Sequence, residues 1–363
     1  MSDEPVALRD EDAFDVGAVT VWLRAAVGDE DAGVVAGEPE VRQYPGGASN
    51  LTYLLRFPAG DLVLRRPPVG AKARGAHDMG REFRIQAALR PVFPKVPRMV
   101  AHCDDDSVLG SEFYVMERVV GEIPRRELPW PLDAAACDAL CARAWGLLVD
   151  LHSVDVAAVP ELAALGRGEG YVARQVAGWT ERLARAATHD LGAWGSITTW
   201  LDDVQPPDAG VCLIHNDFRL DNLVLTRGAP RMVPEVAAVL DWELATVGDP
   251  LMDLGGALAY WIEAGDDDAM QRFRRQPSHL PGMWTRAEVV AQYAAATGRV
   301  VSAEAWRFYE VFGLFRLAVI AQQIWYRYAL GETTNPAYAV FGPAVEMLRL
   351  RCLRLIEGRA ASG

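Results

Sequence analysis

Residues 213–225 read LIHNDFRLDNLVL and residues 238–253 read AVLDWELATVGDPLMD. The first stretch begins apolar with Leu213 and Ile214, then sets His215, Asn216 and Asp217 in a row. Four residues later Asn222 precedes a second apolar run, Leu223–Leu225. After a Gly/Pro-containing turn, a third apolar run, Ala237–Leu240, ends at Asp241, which Trp242 and Glu243 follow. Short apolar runs bounded by polar and turn residues read as strands, and the last two as a hairpin. Asp217, Asn222 and Asp241 therefore stand at strand ends. A lone Asp–Asn pair usually only caps a turn. The full order of His, Asp, Asn, hairpin and second Asp asks for more.

The spacing H-x-D-x4-N is that of the protein-kinase catalytic loop, in which the Asp is the base and the Asn holds a metal. Asp241 falls where the metal-binding Asp of the D-F-G segment belongs, although the triplet here is Asp241-Trp242-Glu243. The chemistry suits these residue types. An alcohol attacking a γ-phosphoryl group needs a carboxylate to orient it and accept its proton, which points to Asp217. Magnesium arriving with ATP prefers hard oxygen ligands, which Asn222 and Asp241 supply. Arg219, two residues after Asp217, is within reach of a transferring phosphate.

The rest of a nucleotide site follows from this reading. The turn Gly46-Gly47-Ala48-Ser49-Asn50 lies between two β-like runs, where backbone N–H groups can lie over phosphates. It is not a Walker P-loop, because G-x-x-x-x-G-K-[ST] is absent. The next strand should carry a basic residue for the phosphates, and Leu62-Val63-Leu64 leads to Arg65, with Glu82 in the following helix as its partner. Arg in place of Lys fits a chain in which all but Lys72 and Lys95 of 36 basic residues are arginine, and Lys72 is a possible stand-in. Phe113–Val119 reads as the interlobe strand, with the backbone near Glu117 and Val119 facing adenine.

Working outward, 363 residues predict two domains or lobes at roughly 150 residues each. A helix is expected over 12–27, a hairpin from Leu51–Phe57 and Leu62–Arg66, a helix over 76–89 and a strand over 112–120. Beyond Gly121 helices dominate, at 133–152, 171–187, 193–203, 302–330 and 335–358, around one β-rich island at 211–247. The expected fold is α+β, with a small β-rich N-terminal lobe at 1–119 and a larger, mainly helical C-terminal lobe at 120–363. A net charge of −13 argues against non-specific nucleic-acid binding. No apolar run approaches the roughly 18 residues of a membrane span. The acidic N-terminus does not read as a secretory signal, and five cysteines without a CxxC pair fit a reducing cytoplasm.

Together HNDFRLDNLVL, VLDWELATVGDPLMDLG and QYPGGASNLTYLLR resemble the aminoglycoside phosphotransferase-like superfamily, small-molecule relatives of protein kinases. Within it, SEFYVMERVVG, ARQVAGWTERL and IWYRYALGET are similar to the branch found as the kinase-like domain of acyl-CoA dehydrogenase fusion proteins. The resemblance covers about residues 35–350. It implies a protein-kinase-like two-lobed fold with ATP in the cleft, Asp217 as base and Asn222 and Asp241 as magnesium ligands. It implies that His215 and Asp253 support the loop, that Glu243 helps position metal or water, and that Asp249 either enters a helix or braces a loop. The superfamily's usual H-G-D has Asn216 in place of Gly, a good substitute if positive φ is needed.

The implied activity is ATP- and magnesium-dependent phosphorylation of a small-molecule hydroxyl. The acceptor pocket is expected near Arg174, Gln175, Trp179, Trp325, Tyr326 and Arg327, with Glu243 beside the metal. A hydroxyacyl-CoA or hydroxyacid acceptor needs a basic patch, which Arg174, Arg182 and Arg327 would supply. An aminoglycoside needs an acidic groove, for which Asp266-Asp267-Asp268, more readily a solvated loop, is the nearest candidate. The third alternative is an ATP-binding pseudokinase, against which intact Asp217, Asn222 and Asp241 argue.

Overall fold

The computed structural model describes residues 4–45, 50–68, 78–227 and 233–358. A six-stranded antiparallel sheet comes first, built from β1 (Val6–Ala7), β2 (Glu40–Gln43), β3 (Leu51–Phe57), β4 (Gly60–Arg66), β5 (Met99–Cys103) and β6 (Phe113–Glu117). Its strand order is β1-β2-β3-β4-β6-β5. The β3–β4 hairpin closes at the Phe57–Gly60 pair, the turn marked by Pro58 and Gly60. Strand alternation then sorts side chains by face. Leu62 and Leu64 join Tyr53, Leu55, Phe113 and Val115 under Val19 and Leu23 of the helix α1 (Val16–Ala26). Val63 faces the other way, toward Tyr114, Met116 and Met79 of α2 (Met79–Leu89). Arg65 has the parity of Val63, so it emerges on the α2 side. Asp78 starts α2 by accepting the Arg81 N–H.

The longer helices that follow are α3 (Ala134–His152), α4 (Tyr171–Arg185), α5 (Gly195–Asp203), α6 (Pro250–Leu258), α7 (Arg286–Thr297), α8 (Ala303–Ala329) and α9 (Phe341–Ile356). They share one large core with two small antiparallel pairs: β7 (Cys212–Ile214) with β10 (Thr246–Gly248), and β8 (Leu223–Thr226) with β9 (Glu235–Val239). The expected helices over 133–152, 171–187, 193–203 and 302–330 are present to within two residues at either end, and that over 335–358 is a 3-10 turn, Pro336–Val340, leading into α9. The strand expected over 112–120 is shorter, Phe113–Glu117.

Two glycines set how α6 meets α8. A Cβ on Gly313 would fall far inside contact distance of the Gly255 carbonyl, so the helices cross backbone to backbone. The five cysteines are all buried and unpaired. Among the described residues no helix is long and apolar enough to cross a membrane.

Candidate active site

β7 delivers the chain to His215 and β8 takes it away after Asn222, so residues 215–222 form a loop between two core strands. β9 ends just before Asp241, and the backbones are sewn together there: Leu240 N–H donates to the Asn222 carbonyl at 2.8 Å. His215 is fully buried, with its Nε2 3.0 Å from the Leu240 carbonyl and its Nδ1 accepting the Asp217 N–H at 3.2 Å. Both ring nitrogens are thus occupied in holding the two loops.

Beneath the loop lies Asp253 of α6, 1% exposed. Its two oxygens accept the backbone N–H groups of His215 and Asn216, each at 2.8 Å. His152 Nε2, at the end of α3, is 3.1 Å from the same carboxylate. Burial would raise the Asp253 carboxyl, but His152 and the loop N–H groups outweigh that and hold it below the usual range. Asp249 caps α6 through the N–H groups of Leu251 and Met252 and also accepts from Ala209.

Among the described residues only two non-glycine positions have positive φ: Asn216 at 65° and Asp241 at 69°. Non-glycine residues in this region carry strain, and such positions cluster at functional sites. Asn216 offsets it with bonds from its side chain, Nδ2 donating to the Leu244 carbonyl at 3.0 Å and Oδ1 accepting from Tyr171 at 3.4 Å.

Above this frame the chemistry-bearing groups meet. Asn222 Nδ2 donates to the Asp217 carbonyl at 2.8 Å and to Asp217 Oδ2 at 3.0 Å. Arg219 Nη2 donates to Asp217 Oδ2 at 3.2 Å, and its guanidinium lies 4.6 Å from the Tyr260 ring centre. Burial pushes the Asp217 carboxyl up, Arg219 opposes this, and nearby Asp241 adds to it. From the sheet, Arg65 donates to Glu82 Oε1 at 2.8 Å and to Asp241 Oδ1 at 3.1 Å. Asn50 donates to Glu243 Oε2 at 3.0 Å, and Arg81 donates to the carbonyls of Glu243 and Ala245. The strand-side residues and the loop residues thus come into direct contact at Asp241 and Glu243.

The other expected residues differ in their surroundings. Gly46, Gly47, Ala48, Ser49 and Lys72 lie outside the described residues. The Glu117 N–H is spent on the Arg98 carbonyl, and Val119 is half-buried beyond the strand end. Arg174 donates to the carbonyls of Gly168 and Glu169 at the start of its own helix. Arg327 is exposed in the last turn of α8, about 16 Å along the helix from Arg316. Trp179 is half-buried beneath two guanidinium groups, those of Arg182 and Arg316. The solvated-loop expectation for residues 266–268 fails at Asp266. Its side chain is 3% exposed and is paired with Arg286 and Arg351. Arg316 was not anticipated; its signal was a single charge inside an apolar helical run, VFGLFRLAVI. It donates from Nη2 to the Asn216 carbonyl at 2.8 Å.

The donor set suits magnesium carried by a nucleotide. Among the described residues no group of three or more His, Cys, Asp or Glu forms a metal cage. Magnesium in nucleotide sites is commonly held by one or two carboxylates plus phosphates and water. Asp241, 34% exposed, and Asn222, whose Nδ2 faces Asp217, offer oxygens of that kind.

The profile of the phosphotransferase enzyme family matches residues 40–298. The human protein acyl-CoA dehydrogenase family member 11 is 36% identical over 318 residues, which is 87% of this chain and 40% of that protein. Mouse acyl-CoA dehydrogenase family member 10 is 33% identical over 332 residues, 91% of this chain and 30% of that protein. The chain therefore spans well under half the length of these curated relatives. A Ralstonia eutropha crystal structure, provisionally described as an aminoglycoside phosphotransferase, is 30% identical with a TM-score of 0.75, covering 94% of this chain and 99% of that one. Choline kinase from Cryptosporidium parvum, 11% identical, shares the fold with a TM-score of 0.64 over 95% of this chain and 96% of its own. The α+β arrangement is thus the kinase-like two-lobed fold.

Proposed function

The chain belongs to the phosphotransferase enzyme family, and on that premise we propose that it moves the γ-phosphoryl group of ATP, with magnesium, to a hydroxyl of a small molecule. One observation carries the reading. Arg65 reaches Asp241, 176 residues away, at 3.1 Å, Asn222 bonds Asp217 at 2.8 and 3.0 Å, and the Leu240 N–H to the Asn222 carbonyl, at 2.8 Å, joins the two segments. In this reading residues 1–119 cover the nucleotide and residues 120–363 carry the loop and the acceptor pocket.

Asp217 accepts the proton of the acceptor hydroxyl. Asn222 and Arg219 fix its carboxylate, so one oxygen is already aimed before the acceptor arrives. Asp241 and Asn222 would hold magnesium, which supplies charge neutralisation at the phosphates. Arg65 holds Glu82 with one guanidinium arm and Asp241 with the other, so its positive charge would stand beside the phosphates of a nucleotide whose magnesium Asp241 would hold. His215 and Asp253 act only as supports, because their polar atoms are committed to the backbone and to each other's loop. The five buried thiols, none in a disulfide, support a reducing, cytoplasmic setting.

A hydroxyacyl-CoA or hydroxyacid is the acceptor favoured here, supported by the similarity to proteins named as acyl-CoA dehydrogenase family members. The Ralstonia neighbour's description supports an aminoglycoside instead. Asp266, the acidic residue best placed in sequence for a polycation, is however already paired with two arginines. The experiment is magnesium-dependent ATP consumption against 3- and 4-hydroxyacyl-CoAs, their free acids, aminoglycosides and choline-like alcohols, with Asp217→Ala as blank. Turnover on a hydroxyacyl substrate, absent from the blank, is the expected result. Turnover on aminoglycosides alone replaces the acceptor, and ATP binding without any turnover turns the reading toward a pseudokinase.

A further inference from the structure

The loop 215–222 is held at its start by Asp253 of α6, and at its middle by a residue from another segment. Gln276, 1% exposed, lies 56 residues beyond Leu220, and its Oε1 accepts the Leu220 N–H at 2.7 Å. Its Nε2 donates to the Tyr260 carbonyl at 3.2 Å, just after the end of α6. Gln276 is fixed in turn, since Arg274 donates to its carbonyl at 3.0 Å and to Glu127 at 2.8 Å. Ser278 Oγ donates to the Ile262 carbonyl at 2.7 Å. The buried amide thus clamps Leu220 to the segment 260–262, with its oxygen and its nitrogen both engaged.

What Leu220 carries with it is Arg219. Arg219 is extended, at φ −149° and ψ 157°, so its side chain points away from those of Phe218 and Leu220 on either side. Phe218 and Leu220 are each 3% exposed in the core, where Phe218 meets Trp145 at 6.0 Å between ring centres. Arg219 turns instead to the Tyr260 ring, 4.6 Å away, and to two carboxylates. Asp217 Oδ2 lies 3.2 Å from its Nη2, and Asp221 Oδ1 lies 3.3 Å from its Nε. Both contacts are longer than a tight ion pair, so neither alone fixes the guanidinium. The ring and the backbone beside it do. A shift of Leu220 away from Tyr260 would open the ring contact and let Asp221 draw the guanidinium off Asp217.

We propose that Gln276 is a positioning residue for phosphoryl transfer: by clamping Leu220 to the Tyr260 carbonyl it keeps the Arg219 guanidinium on the Tyr260 ring and on Asp217. The proposal rests on the reading of Asp217 as the base, and goes beyond it by assigning the residues that hold its cation in place. Gln276 and Tyr260 touch no reacting atom in this scheme. Their effect falls on the rate of transfer and not on the binding of nucleotide.

The test uses the intact chain. In Gln276→Met, which keeps the length of the side chain without its polar atoms, the Leu220 amide should exchange hydrogen about tenfold or more faster. The His215 and Asn216 amides, held by Asp253, should change by less than about twofold. Transfer is read as magnesium-dependent ATP consumption with the acceptor that turns over, or with water in its place. Gln276→Met should lower kcat by about tenfold or more and move the KM for Mg-ATP by less than about twofold. In an Arg219→Met background the same substitution should cost less than about twofold further, because Gln276 acts through Arg219. Tyr260→Leu removes the ring and keeps the carbonyl, and should lose about as much kcat as Gln276→Met. Tyr260→Phe keeps the ring and should stay within about twofold of wild type. That second pair decides the matter if Gln276→Met does not fold. Unchanged Leu220 exchange, equal acceleration of all three amides, an undiminished loss in the Arg219→Met background, or equal activity of Tyr260→Leu and Tyr260→Phe overturns the proposal. A wild type that consumes no ATP with any acceptor or with water overturns the phosphotransferase reading and the proposal with it, and is told apart because the unsubstituted chain is itself silent.

Discussion

Arg65 Nη2 lies 3.1 Å from Asp241 Oδ1, and through that contact β4 is tied to the loop that follows β9. The other arm holds Glu82, which is 1% exposed. Burial pushes the Glu82 carboxyl up and Arg65 works against it. One guanidinium therefore serves two carboxylates from different parts of the chain, a task suited to a planar fork and not to a point charge.

Replacing Arg65 tests this directly. Arg65→Met leaves the buried Glu82 without its cation and should cost about 3–5 kcal/mol of stability. Arg65→Lys keeps the charge but cannot bridge both carboxylates, and should cost about 1 kcal/mol. Urea midpoints of the two variants should fall in that order. Equal midpoints would show that the fork is not what holds the cluster.

Asp217 and Asp241 should separate chemistry from nucleotide binding. Asp217→Ala should lower phosphoryl transfer by about 10²–10⁴ while Mg-ATP binding stays near wild type. Asp241→Ala should weaken Mg-ATP binding itself, because it removes the exposed carboxylate of the pair. Titration of Mg-ATP into both variants checks the split. Unchanged binding in Asp241→Ala would count against its metal role.

Asn216 sits at φ 65° and also makes side-chain bonds to Leu244 and Tyr171. Both Asn216→Gly and Asn216→Ala lose those bonds, so the difference between them isolates the backbone. The alanine variant should be less stable than the glycine variant by about 1–2 kcal/mol. Thermal melts of the pair would reveal it, and coincident melts would mean that the loop relaxes out of the left-handed region at no cost.

What the sequence made legible was local. The five-residue offset between Asp217 and Asn222 sufficed to bring the two side chains together, because a short loop between core strands has few ways to close. The Leu51–Phe57 strand and its partner were visible as two short β-like runs joined by the turn with Pro58, Gly60 and Asp61. β1 and β5 were not anticipated, being two and five residues long and held by pairing with distant strands, and β2 was marked only as a β-like run before the Gly46 turn. α6, PLMDLGGAL, carries two glycines and reads as a poor helix; its packing on α8 needs those glycines. Arg316 stands 100 residues beyond Asn216, and nothing in local spacing shows that α8 returns to the loop.

Asp266 carries a pH signature of the fold. Its side chain lies between Arg286, at 2.7 and 2.9 Å, and Arg351, at 2.8 Å, which pins the start of α7 and the C-terminal half of α9 to one buried carboxylate. Burial would raise this carboxyl, but the two arginines hold it down at about 2. An unfolded aspartate titrates at about 3.9. The folded value is the lower one, so the unfolded chain binds the proton first as pH falls. The stabilisation is then fully present above about pH 5 and is lost progressively as pH falls from there through about 2. In Asp266→Asn that acid-dependent component should be missing, and stability at neutral pH should drop by about 3 kcal/mol because two guanidinium groups lose their shared anion. Urea midpoints at pH 7, 4 and 3 decide it. The wild type should lose its advantage over the variant as the pH falls, and an advantage that stays constant down to pH 3 would show that the carboxylate's charge is not what binds the three elements.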